Sequence, residues 1–164
     1  MIVQDAMVVI HLAKITLLEK SCEYFQHAVI PEAVYDEVMQ GKEKGYPDAT
    51  VVEELVKRDK LVVRKVRDRV LVKRAREFNL QRGEAEALVL YWQEKADYLA
   101  SDDDSVRKKR IVLAIRLIGT PAILSTLYRE RLIEKRKLRE SLAELRNIGW
   151  FSSAVIDRIL MEAD

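Results

Sequence analysis

Short apolar runs recur along this chain, and each is followed at once by a stretch with helical spacing. That alternation limits the fold more than any other feature. MIVQD (1–5) reads as a short buried strand that ends in an acid. AMVVIHLAKITLLEKSCEYF spaces its apolar residues at helical intervals and predicts one or two helices. HAVI (27–30) is a second strand, and Pro31 stands where a helix would start. The helix after it has Val34 and Val38 on its apolar side and Gly41 or Gly45 as its stop. Pro47 and Asp48 open another. LVVRKV (61–66), DYLAS (97–101) and RLIGT (116–120) are predicted strands. Helical segments over RDRVLVKRAREFN, EAEALVLYWQEKA and DDSVRKKRIVLA lie between them. From Pro121 on, the pattern is helical, with breaks near Ile133 and Gly149. Strands covered on both faces read as unbroken apolar runs, and parallel neighbours need a crossover helix. The expected fold class is therefore α/β, a short parallel β-sheet sandwiched by helices.

The length of 164 residues suits one domain over 1–164, with 134–164 as a C-terminal helical extension. The net charge of +2 singles out no partner class. The one cysteine, Cys22, excludes an internal disulfide and a cysteine zinc site, and fits a reducing cytoplasm. Gln4, Asp5, His11 and Lys14 interrupt the N-terminal apolar run, so a signal peptide is not expected. No window reaches the roughly 20 apolar residues of a membrane span. G-x-x-x-x-G-K, G-x-G-x-x-G and G-x-S-x-G are all absent, which disfavours nucleotide-driven motors, dinucleotide enzymes and nucleophile-elbow hydrolases. His11 and His27 stand among apolar residues without metal-ligand spacing, and Trp92 and Trp150 read as packing anchors.

The acids carry more information. In open parallel sheets the functional crevice lies beyond the carboxyl ends of the strands. Asp5 closes the first strand; Asp102, Asp103 and Asp104 follow DYLAS; Glu84 and Glu86 open a helix; Glu37 lies within the helix after the second strand. Each alone has a plain structural role available, as a helix cap, a dipole partner or a solvated side chain. Together they bring carboxylates from four segments to one end of the sheet. Such a group needs a counter-charge. Mg²⁺ or Mn²⁺ prefers oxygen ligands, keeps waters, and can activate water toward a phosphodiester. Basic residues accompany the acids. Residues 57–76 hold ten Lys or Arg, Arg107, Lys108, Lys109 and Arg110 form a second cluster, and a third runs from Arg129 to Arg139. Cations flanking a metal site would steer and hold a polyanion, although solvated helix faces also carry such charges. Few aromatics are available for base stacking on a sheet.

The segments VQDAMVVIHLAKI, VIPEAVYDEV, GEAEALVLYWQEKADYLASDD and RLIGTPAILSTLYRERLI, in that order, resemble the PIN-domain family over about residues 1–133. These are the metal-dependent ribonuclease domains of many prokaryotic toxin–antitoxin toxins. The GEAEA and IGT features resemble a subgroup common in archaea and cyanobacteria that is described as nucleic-acid-binding. The resemblance implies a PIN-like three-layer α/β/α fold and RNA cleavage that leaves a 5′ phosphate. It also implies a homodimer and, for a toxin, a small antitoxin protein that blocks the site. Carried over by position, Asp5 and Glu37 match the first two acids. Glu86 best matches the third, with Glu84 a close competitor, and Asp103 matches the fourth, since Ser101 then stands two residues before it. Asp102 and Asp104 become supporting or alternative ligands. Arg107, Lys108, Lys109 and Arg110 are the expected RNA contacts. One departure is Met7, where many members carry a small polar residue that would hydrogen-bond a carboxylate. It supports the alternative, a PIN-like nucleic-acid-binding or scaffold module without turnover. A phosphoacceptor receiver domain fits poorly. Asp5 lacks a neighbouring acid, and the last strand ends in Gly119 and Thr120 where that fold needs a lysine.

Overall fold

A computed structural model describes residues 1–164. Five strands, β1 (Ile2–Gln4), β2 (Ala28–Pro31), β3 (Val62–Arg64), β4 (Tyr98–Ala100) and β5 (Leu117–Ile118), form one all-parallel sheet. Their order is β3-β2-β1-β4-β5. The chain builds outward from β1 on one side and then returns to add β4 and β5 on the other. The switch point falls between β1 and β4, where Gln4 is paired with Ala100.

Side chains alternate across the pleat. Ile2, Ala28, Ile30 and Ala100 face one core, and Val3, Val29 and Leu99 face the other. The first core is closed by α1 (Ala6–Lys14), α2 (Leu18–Phe25), α3 (Glu32–Glu43), α4 (Pro47–Lys57), α8 (Thr120–Arg129), α9 (Lys135–Ile148) and α10 (Ser153–Ala163). The second is closed by α5 (Arg69–Arg76), α6 (Arg82–Gln93) and the α7 segment (Asp104–Lys109). The result is a three-layer α/β/α sandwich, as the alternation of strands and helices predicts. Leu138, Leu142, Leu145, Ile156 and Ile159 join the same core as α1, so residues 134–164 are packed onto the body. No helix is long and apolar enough to cross a membrane.

Three local expectations are corrected. The helix expected to run on to Ala114 stops at Lys109. Ala114 takes φ 51°, in the left-handed region, and turns the chain so that Leu113 and Ile115 are buried and Leu117 can pair with Leu99. The sheet's need for β5 overrides helical propensity, and Ile111 and Val112 are left 81% and 77% exposed. Trp150 anchors nothing and is fully exposed, and His27 is exposed as well. The first long helical stretch, expected as one or two helices, is two, because Thr16 also has a left-handed φ of 61°.

Candidate active site

Asp5 leaves β1 and immediately caps α1, its Oδ1 accepting from the Val8 amide at 3.0 Å. Its own amide donates to the Ala100 carbonyl at 3.0 Å, which ties it to the end of β4. The residue is 3% exposed, and its Oδ2 has no hydrogen-bond partner. Burial pushes the carboxyl from 3.8 up to about 7. The negative Asp102 and Glu84 add to that, while Ser101 and the Val8 amide oppose it. Ser101 is near enough to lower it, yet Oδ2 accepts no hydrogen bond.

Glu37 and Glu84 arrive from two other elements. Glu84 is the third residue of α6 and completes a capping box, accepting from the Gln81 amide at 2.9 Å. Glu37 belongs to the outer side of α3, but its carboxyl reaches back over the first turn of α6. Gly83 makes room for it, since a Cβ there would lie 2.8 Å from Glu37 Oε2. Partial burial raises both carboxyls, and for Glu84 the nearby Asp103 and Glu37 raise it further, against Gln81 and Lys109. Asp5, Glu37 and Glu84 line one cavity of about 20 Å³ together with Met7 and Gln81. That is room for about one water-sized occupant.

The residues after β4 do not line that cavity, although Asp103 lies near enough to Glu84 to raise its carboxyl. Asp103 caps α7 through Oδ1, which accepts from the Ser105 and Val106 amides at 2.7 and 3.2 Å and from the Ser105 hydroxyl. Burial works against its charge, but those donors and Lys109 outweigh it and hold the carboxyl below its ordinary value. Its amide donates to Ser101 Oγ at 3.2 Å, which fixes the turn. Asp102 faces away from the cavity and is saturated. It accepts from the Thr120 amide and hydroxyl and pairs with His11 Nδ1 at 2.7 Å. His11 thus joins α1 to the turn that carries Asp103, with Phe151 edge-on to its ring at 5.1 Å.

Glu86 is not brought to the cavity. It is 2% exposed, and its oxygens accept from the Ala33 amide at 3.2 Å and Arg69 at 2.8 Å. It closes the orphan amide end of α3 from a neighbouring helix. Asp104 is exposed beside Arg107.

Of the expected cationic contacts, Lys109 donates to the Phe78 carbonyl and Arg107 approaches Asp104 at 3.8 Å. Arg110 donates to the Arg107 carbonyl, and Lys108 is exposed and unpaired. Lys109 thereby draws α7 against the end of the basic helix α5, so two of the basic blocks adjoin at the rim. In the third block Lys135 and Arg139 share Asp164, Arg136 meets Glu140 at 3.8 Å, and Lys137 binds the Ile15 carbonyl and Thr16.

Sequence reading missed the role of His11, whose partner Asp102 lies 91 positions away, and that of Arg69 as the clamp on Glu86. Gly83 stood only as the first residue of the GEAEA segment, with nothing there to mark it as the seat of Glu37. As the side chains stand, no three Asp, Glu, His or Cys groups are drawn tightly enough to coordinate one ion. The donor set still suits a hard cation. Three carboxyls in the lining, all of which resist ionisation, and an unpartnered buried carboxylate oxygen favour a small divalent ion that takes one or two carboxylates directly and keeps its waters.

No curated protein and no solved structure matches the chain. A family model described as a PIN domain matches residues 1–164. That match spans the parallel sheet, the carboxylates at its β1–β4 end and the helices of both layers alike: the chain belongs to the PIN-domain family and has its nuclease-type fold.

Proposed function

We propose that this protein is a ribonuclease dependent on Mg²⁺ or Mn²⁺. Asp5, Glu37 and Glu84, which line one cavity, and Asp103, close enough to Glu84 to raise its carboxyl, would hold the ion directly or through its waters. The observation that carries the reading is Asp5 Oδ2, an acid oxygen buried without a partner in a cavity shared with two further acids. A carboxyl pushed up to about 7 beside such a cavity is poorly explained by capping alone, which occupies only Oδ1. When bound, the ion supplies positive charge and polarises water at the scissile phosphodiester. The chain's own part is to hold the carboxylates apart and rigid. Val8 fixes Asp5, Gln81 fixes Glu84, Gly83 admits Glu37, and Ser105 orients Asp103. Glu84 is favoured over Glu86 as the third acid, because both oxygens of Glu86 are engaged elsewhere. Asp102 acts from behind, with His11 and Thr120, to hold the Asp103 turn. Arg107, Lys108, Lys109 and Arg110, beside α5, hold the RNA backbone.

The same reading extends to a toxin with a small antitoxin partner, working as a homodimer in the cytoplasm, where a buried free thiol such as Cys22 stays reduced. One observation favours the second reading, a nucleic-acid-binding module without turnover. Met7 lines the cavity where a hydrogen-bonding side chain would otherwise meet a carboxylate. Cleavage of a labelled RNA, measured with Mn²⁺ and with EDTA, separates the two. Loss of cleavage in EDTA and in Glu84→Gln, with activity kept in Glu86→Gln, is expected. A wild-type protein that binds RNA and never cleaves it leaves only the binding module.

A further inference from the structure

A second cavity, of about 600 Å³, opens on the other side of Glu37, between α1, α3 and α4. Its volume falls in the range of sites that hold small organic ligands. Glu37 lines both this cavity and the acidic one, so whatever fills it lies directly beside the proposed metal position. Ile10, Val38 and Ala49 form an apolar floor. Lys14 is held in place by Asp48 at 3.0 Å, whereas Lys44 is exposed and engages no acid. At the rim stands Tyr46, 56% exposed. Its ring rests against α3 because residue 41 is glycine, whose missing Cβ would sit 3.2 Å from Tyr46 Cδ2. A tyrosine pinned by its edge and left half in water, next to a free lysine, supplies the two contacts of single-stranded nucleic acid. One is a ring to stack a base on, and the other is a cation for the next phosphate. A paired base would be buried in its own stack and could not reach the ring.

We propose that this cavity is a nucleobase subsite: one unpaired base of the RNA, adjoining the phosphodiester at the acidic site, stacks on Tyr46 while Lys44 takes its phosphate. The proposal rests on the ribonuclease reading only for the position of the scissile bond.

The test is fluorescence anisotropy of a labelled oligoadenylate in EDTA, so that binding is read without cleavage. Tyr46→Ala weakens binding about 5- to 150-fold, the loss of one base–aromatic stack, and Tyr46→Phe binds like the wild type. An abasic strand of the same length binds the wild type and Tyr46→Ala equally, which makes the two losses one and the same. Wild-type affinity in Tyr46→Ala overturns the proposal, as does an abasic strand that binds as tightly as oligoadenylate, or a duplex that competes equally. A groove that takes a peptide gives the first of these results. The two readings fail separately. Tyr46-dependent binding without Mn²⁺-dependent cleavage removes the nuclease and keeps the subsite, and cleavage with unaltered binding by Tyr46→Ala does the reverse.

Discussion

Replacing Asp5 by Asn should make the metal-free protein more stable. Asparagine is an equally good helix cap, so the Val8 amide keeps its acceptor. What changes is the charge. Burial lifts the Asp5 carboxyl from 3.8 to about 7 in the folded chain, so ionising it there costs up to about 4 kcal/mol more than in the unfolded chain. The sign follows from proton binding. Between pH 4 and 7 the folded form holds a proton that the unfolded form has released, so the Asp5 contribution to stability falls as pH rises through that window. Below pH 4 both forms are neutral and the cost vanishes; above pH 7 it is present in full. Other acids titrate too, with Glu37 and Glu84 in the same direction and Asp103 opposite, so the difference between wild type and variant isolates Asp5. Thermal unfolding in EDTA at pH 8 should give Asp5→Asn a Tm higher by up to about 8–16 °C, at about 2–4 °C per kcal/mol. At pH 4 the two curves should nearly coincide. Mn²⁺ should then stabilise the wild type and not the variant, and the variant should not cleave RNA. A variant less stable than wild type at pH 8, or an advantage that persists at pH 4, refutes the reasoning: Asp5 would then be a satisfied cap.

Gly83→Ala separates stability from function in the same sense. Alanine in the first turn of α6 adds about 0.5–1 kcal/mol and meets Val34 at an ordinary 3.6 Å, but it drives the Glu37 carboxyl from its seat. Titration should show Mn²⁺ affinity falling about 10- to 100-fold with Tm unchanged or raised; unchanged affinity shows that Glu37 is not needed there. Glu86→Ala should do the opposite, since it strands the Ala33 amide and frees two exposed guanidiniums. A loss of about 2–3 kcal/mol, or about 4–12 °C, is expected in thermal unfolding with the Mn²⁺ response preserved. Loss of the Mn²⁺ response at full stability would make Glu86 the ligand. Replacing both Lys108 and Arg110 by Ala should weaken RNA binding across sequences and reduce the slope of log K against log salt by about 1.4, at about 0.7 per lost contact. An unaltered slope places the RNA on another face.

Much of this molecule was legible before any coordinates, because the informative signals are local. A run such as HAVI closed by Pro31, or two glutamates at the head of the apolar helix EAEALVLYWQEKA, is decided within a few residues by sterics and by unpaired amides. The end of the first strand at Asp5 and the acids after β4 fall where any parallel sheet opens its crevice. The end of α7 was not local. It is set by the demand that Leu117 lie beside Leu99, which a helix running to Ala114 could not meet. Trp150 likewise looked like an anchor only because bulk and apolarity in a sequence do not say whether a partner surface is within reach.

The choice between Glu84 and Glu86 shows where the division lies. Their spacing of two was plain in the chain, and on a helix two positions turn a side chain by about 200°. One acid must therefore leave whichever site receives the other. Spacing alone could state that exclusion but not resolve it, because nothing along the chain says which side of α6 will meet β1 and which will meet α3 and Arg69. Packing of the layers rotates α6 so that Glu84 looks into the cavity with Asp5 and Glu37, and Glu86 into the amide end of α3. The amino-acid order determined that carboxylates would gather at one end of a parallel sheet. Tertiary structure alone decided which of them share a cavity, because a helix's rotation is fixed by everything it packs against.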